Sequence, residues 1–296
     1  MARRKRRTRY KTAPPHVLLI AFTLLFLVFS SLLCSYFPAP ILSEDTTVHF
    51  LDVGQSDCTL FLSGGEAVLI DAGTADMGQR IVSYLASQGV TELRAVIATH
   101  PHADHIGSIS TVLASFGVDA FYTTDAVYTT WTYENMLRMV EAQGIPITVP
   151  KPGDTLELQS GAVFRFLSPQ PDAQYENINN ASLVCMFEAG DSRVLMMGDA
   201  EKEIEQELLD SDTDLRCDVI KLGHHGSASS STLKFLQATH ARTAILSYGA
   251  DNSYGHPHEE TLKNLNAAVI RDVRSTAEEG TIVINFPKNI AEENAA

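Results

Sequence analysis

Ten histidines are spread along the 296 residues, and three of them fall within six positions, in Thr99-His100-Pro101-His102-Ala103-Asp104-His105. Neutral imidazoles and carboxylates are the ligands that suit Zn²⁺ and similar divalent ions. His100 and His102 point the same way in an extended or turning loop. Asp104 and His105 then fall on the far side of that turn, where they can serve a second ion. The cluster follows the apolar run Ala95–Ala98, and loops that leave a rigid buried strand are where binding groups usually sit. Four ligand-type side chains in six positions behind such a strand argue against a chance polar loop.

Holding that loop requires a scaffold on both sides of it. Strand-like runs occur at Val48–Leu51, Cys58–Phe61, Val68–Ile70 and Ala95–Ala98. A second series covers Thr155–Leu158, Val163–Leu167, Leu183–Phe187, Arg193–Met197, Val219–Leu222, Thr243–Ser247 and Thr281–Ile284. Helical patterning is read over Met77–Ser87, Ile106–Ser115, Trp131–Gln143, Glu201–Leu209 and Glu259–Ala267. Strands outnumber helices and the series pauses near the middle, which predicts two sheets packed face to face with helices outside. No fixed-period repeat or low-complexity tract interrupts this reading. Residues 48–286 therefore read as one α/β domain, and 287–296 as a polar tail.

Composition narrows the function classes. At 45% apolar and 20% charged residues the chain is neither disordered nor a fibre nor a multi-span membrane protein. Net charge is −14, but residues 1–11 hold seven basic and no acidic residues, leaving 15 basic against 36 acidic in the remainder. A domain of net −21 repels long polyanions, which argues against a generic nucleic-acid coat. Residues 12–43 carry no charged residue, and Val17–Phe37 is a near-continuous apolar run of 21 residues. About 20 helical residues cross a bilayer. The reading is a basic cytoplasmic segment at 1–16, a single transmembrane anchor at 17–37 and a linker at 38–47, with the domain extracytoplasmic. A cleaved signal peptide is the alternative, disfavoured because no small-x-small site follows the run closely. Of the cysteines, Cys34 lies in that run, and Cys58, Cys185 and Cys217 form no C-x-x-C pair; Cys58 and Cys185 read as small buried hydrophobes.

His100-x-His102-x-Asp104-His105 resembles the signature of the metallo-β-lactamase-fold hydrolases. His49-Phe50-Leu51-Asp52-Val53-Gly54-Gln55-Ser56-Asp57 is similar to the opening of the hydrolase domain attached to the DNA-uptake competence protein ComEC, with Ser56 where Gly is more usual. Leu69–Gly73, Asn180–Val184, Met197-Gly198-Asp199, Gly223-His224-His225-Gly226-Ser227 and Tyr254-Gly255-His256-Pro257 match that branch in order. The resemblance implies a four-layer αββα sandwich with a binuclear site at one edge between the sheets. By position, His100 and His102 would bind one metal and Asp104 and His105 the other. Asp199 would bridge both, and His225, with His224 as the alternative, would complete the second site. Asp71 would orient ligands by hydrogen bonds. For Asp199 an N-cap of the following helix is a competing role. No histidine lies between His105 and His224, where many family members place one; Asn180 and Ser182 occupy that region.

The implied cofactors are two divalent ions, Zn²⁺ first and Mn²⁺ second. Such a pair acidifies water for attack on a phosphoryl or acyl centre, with Asp104 and His256 expected to take part in catalysis. Lys221 is expected to be solvated, His258 to lie on the surface, and His49 and His240 to be structural. The leading expectation is a membrane-anchored phosphodiesterase or nuclease-like enzyme acting on DNA or on a phosphorylated wall or lipid component. The alternatives are an ester, thioester or lactam hydrolase and a non-catalytic DNA-binding module. Protein partners are not readable from the sequence, and one span cannot form a channel alone.

Overall fold

The first sheet of the computed structural model joins strands β1 (Thr46–Phe50), β2 (Thr59–Ser63), β3 (Glu66–Ile70), β5 (Ala95–Ala98), β7 (Phe121–Thr123), β8 (Ile147–Thr148) and β16 (Ile282–Phe286), in the order β16-β1-β2-β3-β5-β7-β8. The second joins β9 (Thr155–Glu157), β10 (Val163–Ser168), β11 (Val184–Ala189), β12 (Ser192–Met196), β13 (Val219–Lys221), β14 (Thr243–Leu246) and β15 (Asp272–Ser275), in chain order from one edge. Each sheet is antiparallel at one end and parallel at the other: β3, β5, β7 and β8 run parallel, as do β12 to β15. A small third pair is formed by β4 (Glu92–Leu93) and β6 (Gly117–Val118). The structure describes Thr23 and residues 45–286. Of the two units of the chain, Met1–Pro40 and Ile41–Ala296, only the second is described beyond one residue. The expected anchor at 17–37, apart from Thr23, most of the linker and the tail at 287–296 lie outside the described residues. Among the described residues no helix is long and apolar enough to cross a membrane.

Side chains alternate between faces along a strand, and β2 shows what that achieves. Phe61 points into the core shared by the two sheets, meeting Phe164 and Phe187 at ring-centroid distances of 4.9 Å. Leu60 and Leu62 point outward into a second core with Ile81 and Leu85 of α1 (Gly78–Ser87). The same outer core takes in Met136 and Val140 of α4 (Trp131–Ala142). On the far sheet, Leu195, Ile220 and Ala244 pack outward against α5 (Lys202–Asp210), α6 (Leu233–Thr239) and α7 (Glu259–Ala267). Three apolar cores between four layers is the arrangement expected from two sheets with helices outside. Cys58, Cys185 and Cys217 are buried and free.

The helix predicted over Ile106–Ser115 is two short ones, α2 (Ala103–Ile106) and α3 (Ile109–Leu113). The break falls at Ser108, whose backbone leaves the helical region and whose N–H donates to the Ala72 carbonyl at 3.2 Å. A Cβ on Gly107 would sit 2.5 Å from the carbonyl oxygen of Ala103 and the amide nitrogen of Ala75, and 2.7 Å from the Gly73 oxygen. The loop after β3 lies directly on Gly107, and Ala72 N–H donates to His105 O at 2.7 Å. Gly107 thus lets the loop carrying Asp71 dock against the histidine cluster. Gly107→Ala is expected to cost about 1–3 kcal/mol by overpacking, seen as a lower urea midpoint with unchanged slope.

Candidate metal centre

The cluster residues lie just beyond the carboxyl ends of parallel strands, or, for Asp104 and His105, on the short helix α2 that follows β5, where ligands bind in open α/β sheets. Asp71 follows β3, His100 follows β5, Asp199 follows β12, and His224 and His225 follow β13. Loops from both sheets thus bring their side chains together. His100 Nε2 lies 3.0 Å from His102 Nδ1 and 3.8 Å from Asp199 Oδ2. His105 Nε2 lies 3.2 Å from Asp199 Oδ1, and His225 Nε2 lies 3.7 Å from it. Asp104 Oδ2 is 3.3 Å from His225 Nε2 and 4.0 Å from His105 Nε2.

These contacts form two donor groups, one of His100, His102 and Asp199, the other of Asp104, His105, Asp199 and His225. Asp199 belongs to both. Ligand atoms around a tetrahedral ion with bonds of about 2.0–2.1 Å stand roughly 3.3–3.4 Å apart, which is close to the spacings here. Buried polar atoms normally have partners, yet among the described residues His105 Nε2 and Asp199 Oδ1 make no hydrogen bond. The residues therefore fit a pair of divalent cations.

The outer nitrogens of the imidazoles are held by acceptors, as ligand histidines require. His105 Nδ1 lies 2.7 Å from Asp71 Oδ2, and Asp71 also accepts from Thr99 N and Oγ1. His225 Nδ1 donates to the Ser247 carbonyl at 2.9 Å. Each bond holds the Nδ1 proton in place, so that once Nε2 gives up its proton its lone pair faces the centre. Asp57, Asp71 and His105 also cluster, but the last two are spent on one another. Asp71→Asn is expected to cost roughly 10–100-fold in metal affinity at the His105 group, read by chelator competition, while the His100 group keeps its ion.

Electrostatics point the same way. Burial keeps His100 well below the usual imidazole range, so it stays neutral. Burial also pushes His225 down, but Asp199 and Asp57 outweigh it and hold it up at about 10. Burial raises Asp199, but His105 and His225 win and hold it well below the carboxylate range. Asp104 is held at about 2 by His225 and His105 against the opposing effect of burial. The carboxylates thus draw positive charge to this point, and a divalent cation would supply it with release of protons.

His224 stands outside both donor groups. Its Nδ1 bonds Glu201 at 2.9 Å and its Nε2 is 3.9 Å from Asp199. His224 and His225 part because they occupy a left-handed turn, with φ of 47° and 54°, beyond the end of the strand. Glu201, not Asp199, stands at the N-cap position of the following helix, and makes no side-chain capping bond there, so the capping role considered for Asp199 is not taken; the Asp199 N–H donates to Ser182 Oγ at 3.1 Å. Asn180 is engaged by Glu203 and by the Glu201 N–H. His256 is brought alongside, its ring centroid 5.7 Å from that of His224 and 6.1 Å from that of His225. Burial, then the neighbouring His225 and His224, push His256 down to about 4.

Lys221 departs from the expectation of a solvated side chain. It is 1% exposed and its Nζ meets Asp57 Oδ2 at 2.8 Å. Asp57 Oδ1 in turn lies 3.3 Å from His225 Nδ1. His258 also is more than surface: its Nδ1 accepts the Ala228 N–H at 2.8 Å. His49 is held by Thr47 and Tyr84 in the structural role expected of it. Gln55, which bonds His256 at 3.1 Å, was not singled out by sequence; its only signal was its place in the opening motif.

The model of the metallo-β-lactamase superfamily matches residues 51–250. ComE operon protein 3 of Bacillus subtilis (strain 168) is 32% identical over 271 residues, 85% of this chain and 34% of that protein. Competence protein ComA of Neisseria gonorrhoeae is 28% identical over 243 residues, 81% of this chain and 32% of that protein. The chain thus spans about a third of the length of these curated relatives. The metallo-β-lactamase-fold protein YhfI from Bacillus subtilis superposes with a TM-score of 0.54 at 15% identity, covering 82% of this chain and all of that one. With its fold, its candidate dinuclear site and these relatives in agreement, the chain belongs to the metallo-β-lactamase superfamily, as a metal-dependent hydrolase related to the competence proteins.

Proposed function

We propose that this hydrolase cleaves phosphodiesters at the edge where the two donor groups meet. The observation that carries the reading is Asp199, one buried carboxylate within reach of both groups. When bound, paired divalent ions acidify water and neutralise charge on phosphoryl oxygens, the division of labour of two-metal phosphoryl chemistry. His100, His102 and Asp199 would hold one ion, and Asp104, His105, Asp199 and His225 the other. The first group has three protein donors, since Asn180 and Ser182 are engaged elsewhere, and so leaves room for substrate oxygen. Asp71 and Ser247 fix the imidazole orientations. His256 stands beside the centre as the residue to meet substrate. In a domain this acidic, the metals would also supply the local positive charge that a phosphate requires. Zn²⁺ is the first choice of ion and Mn²⁺ the second, from the mixed nitrogen and carboxylate donors.

The relatives named for competence favour DNA among phosphodiesters; a phosphorylated wall or lipid component is the other source. The basic flank and apolar run at 17–37 support a single anchor with the domain outside the membrane.

The purified chain, loaded with Zn²⁺ or Mn²⁺, should hydrolyse bis-p-nitrophenyl phosphate and at least one of single-stranded DNA, double-stranded DNA and p-nitrophenyl phosphorylcholine. Rapid opening of a chromogenic cephalosporin by the same preparation, with no phosphodiester cleavage, would replace this reading with an acyl hydrolase. Protease added to wall-free intact cells should digest the domain; digestion only after lysis would reverse the orientation.

A further inference from the structure

We infer that Gln55 is a positioning residue that fixes His256 as a neutral imidazole protonated on Nε2, so that His256 meets substrate as a hydrogen-bond donor and not as a general acid. The role toward substrate rests on the hydrolase reading above; the protonation pattern does not.

The argument starts from a backbone donor, whose direction is not open to choice. Gly249 N–H donates to Gln55 Oε1 at 3.1 Å. An amide carries its acceptor oxygen and its donor nitrogen on opposite sides, so this bond turns Gln55 Nε2 away from Gly249. That nitrogen lies 3.1 Å from His256 Nδ1. An amide NH₂ only donates, so Nδ1 must accept, and a neutral histidine whose Nδ1 accepts carries its proton on Nε2. Turning the amide over would set its NH₂ against the Gly249 N–H, donor against donor. Protonating His256 on Nδ1 would create the same clash at the other end.

Both ends of this contact are fixed in place. A Cβ on Gly249 would lie 3.0 Å from Gln55 N, so a side chain there would press on the Gln55 backbone. Asn252 accepts the His256 N–H at 2.9 Å and donates to the His256 and Gly249 carbonyls at 2.9 and 2.8 Å. Gln55 follows Gly54, whose φ of 72° turns the loop between β1 and β2 toward the His256 loop. The rings facing His256 are His224 and His225 across the site, and Tyr254 and His258 on its own loop. With Nδ1 engaged, Nε2–H is the group left for a substrate oxygen. A neutral, oriented donor stabilises charge that develops on oxygen without moving a proton.

The test labels histidine with ¹⁵N in the full chain, loads it with Zn²⁺, and reads two-bond ¹H–¹⁵N correlations, with His256 assigned by its loss in His256→Ala. The wild type should show a protonated Nε2 and an unprotonated Nδ1 at His256. Gln55→Glu places an acceptor against Nδ1 and should move the proton there. Metal content should stay the same, and kcat on bis-p-nitrophenyl phosphate should fall on the order of 10²-fold, the usual effect of losing one such donor. Gln55→Leu, which neither donates nor accepts, should give mixed tautomers and a smaller loss. A wild-type His256 protonated on Nδ1, or a Gln55→Glu spectrum like the wild type, overturns the inference. Because the spectrum needs no substrate, the expected tautomers in a protein inactive on every phosphodiester would overturn the role toward substrate together with the functional reading, and leave the Gln55–His256 assignment standing.

Discussion

Asp199→Asn is expected to lower the metal content of the saturated protein from about two ions per chain to one or fewer, and to cut phosphodiester turnover by more than the roughly 10–100-fold that follows loss of an outer hydrogen-bond partner. The change keeps the size of the side chain and removes its charge. Asp199 is the residue common to both donor groups, so its loss is felt on both sides at once. His102→Ala, at the half-buried edge of the first group, should empty only that group. Asp104→Ala should empty mainly the second. Elemental analysis of the three variants beside the wild type separates the outcomes. An Asp199→Asn protein that keeps both ions and most of its activity would show that the two groups do not depend on a shared carboxylate.

Legibility of the fold followed the strength of the local pattern. Ala95–Ala98 and Glu259–Ala267 were bounded correctly from sequence because one is a short apolar run before a polar loop and the other an amphipathic helix. β15 was invisible, since Asp272-Val273-Arg274-Ser275 is a largely exposed edge strand with no buried face to give it a period of two. β7 and β8 are two or three residues long and are held as strands by parallel pairing at the sheet edge, which no short window shows. Leu233–Thr239 packs through Phe235 and Leu236 but is only seven residues long, too short for a helical period to stand out.

The candidate site was legible to the extent that its donors are chemically distinctive. His100, His102, Asp104 and His105 announce themselves by composition, and Asp199 and His225 by the resemblance that placed them. What surrounds them is ordinary in type. Gln55, Thr99 and Ser247 act through hydrogen bonds between residues far apart in sequence, and Ser247 does so with its backbone carbonyl. No residue preference records a carbonyl. Lys221 follows two buried strand residues, and a lysine at a strand end ordinarily reaches solvent. Asp57 from another loop, together with the Leu222 carbonyl that accepts from Nζ at 3.0 Å, receives it inside.

That inward lysine carries the largest stability effect expected in the protein. Lys221→Met should destabilise the domain by about 3–5 kcal/mol, the usual cost of leaving one charge of a buried pair uncompensated. For a domain of this size this is a fall of roughly 10 °C in Tm. Burial pushes the Asp57 carboxyl up, but the Lys221 ammonium, and then His225, hold it well below its ordinary value. In the wild type this depressed group contributes stability above the unfolded carboxylate pKa of about 3.9, and the contribution is lost as pH falls through the folded value. Without Lys221 burial dominates, the folded pKa rises, and holding Asp57 ionised becomes a cost above the unfolded value. The gap in Tm between wild type and variant should therefore be wide at pH 7 and narrow near pH 4. Asp57→Leu combined with Lys221→Met removes both charges and should recover most of the loss, as apolar replacement of buried pairs commonly does. The Ser247 carbonyl remains to hold His225 in that double variant. If the double variant regains its Tm and still binds two ions, the pair serves the fold alone. A recovered Tm with the second ion lost would show that Asp57, 3.3 Å from His225 Nδ1, also sets that imidazole for metal. A Lys221→Met protein as stable as the wild type at pH 7 would show that the pair gives the folded state no net advantage.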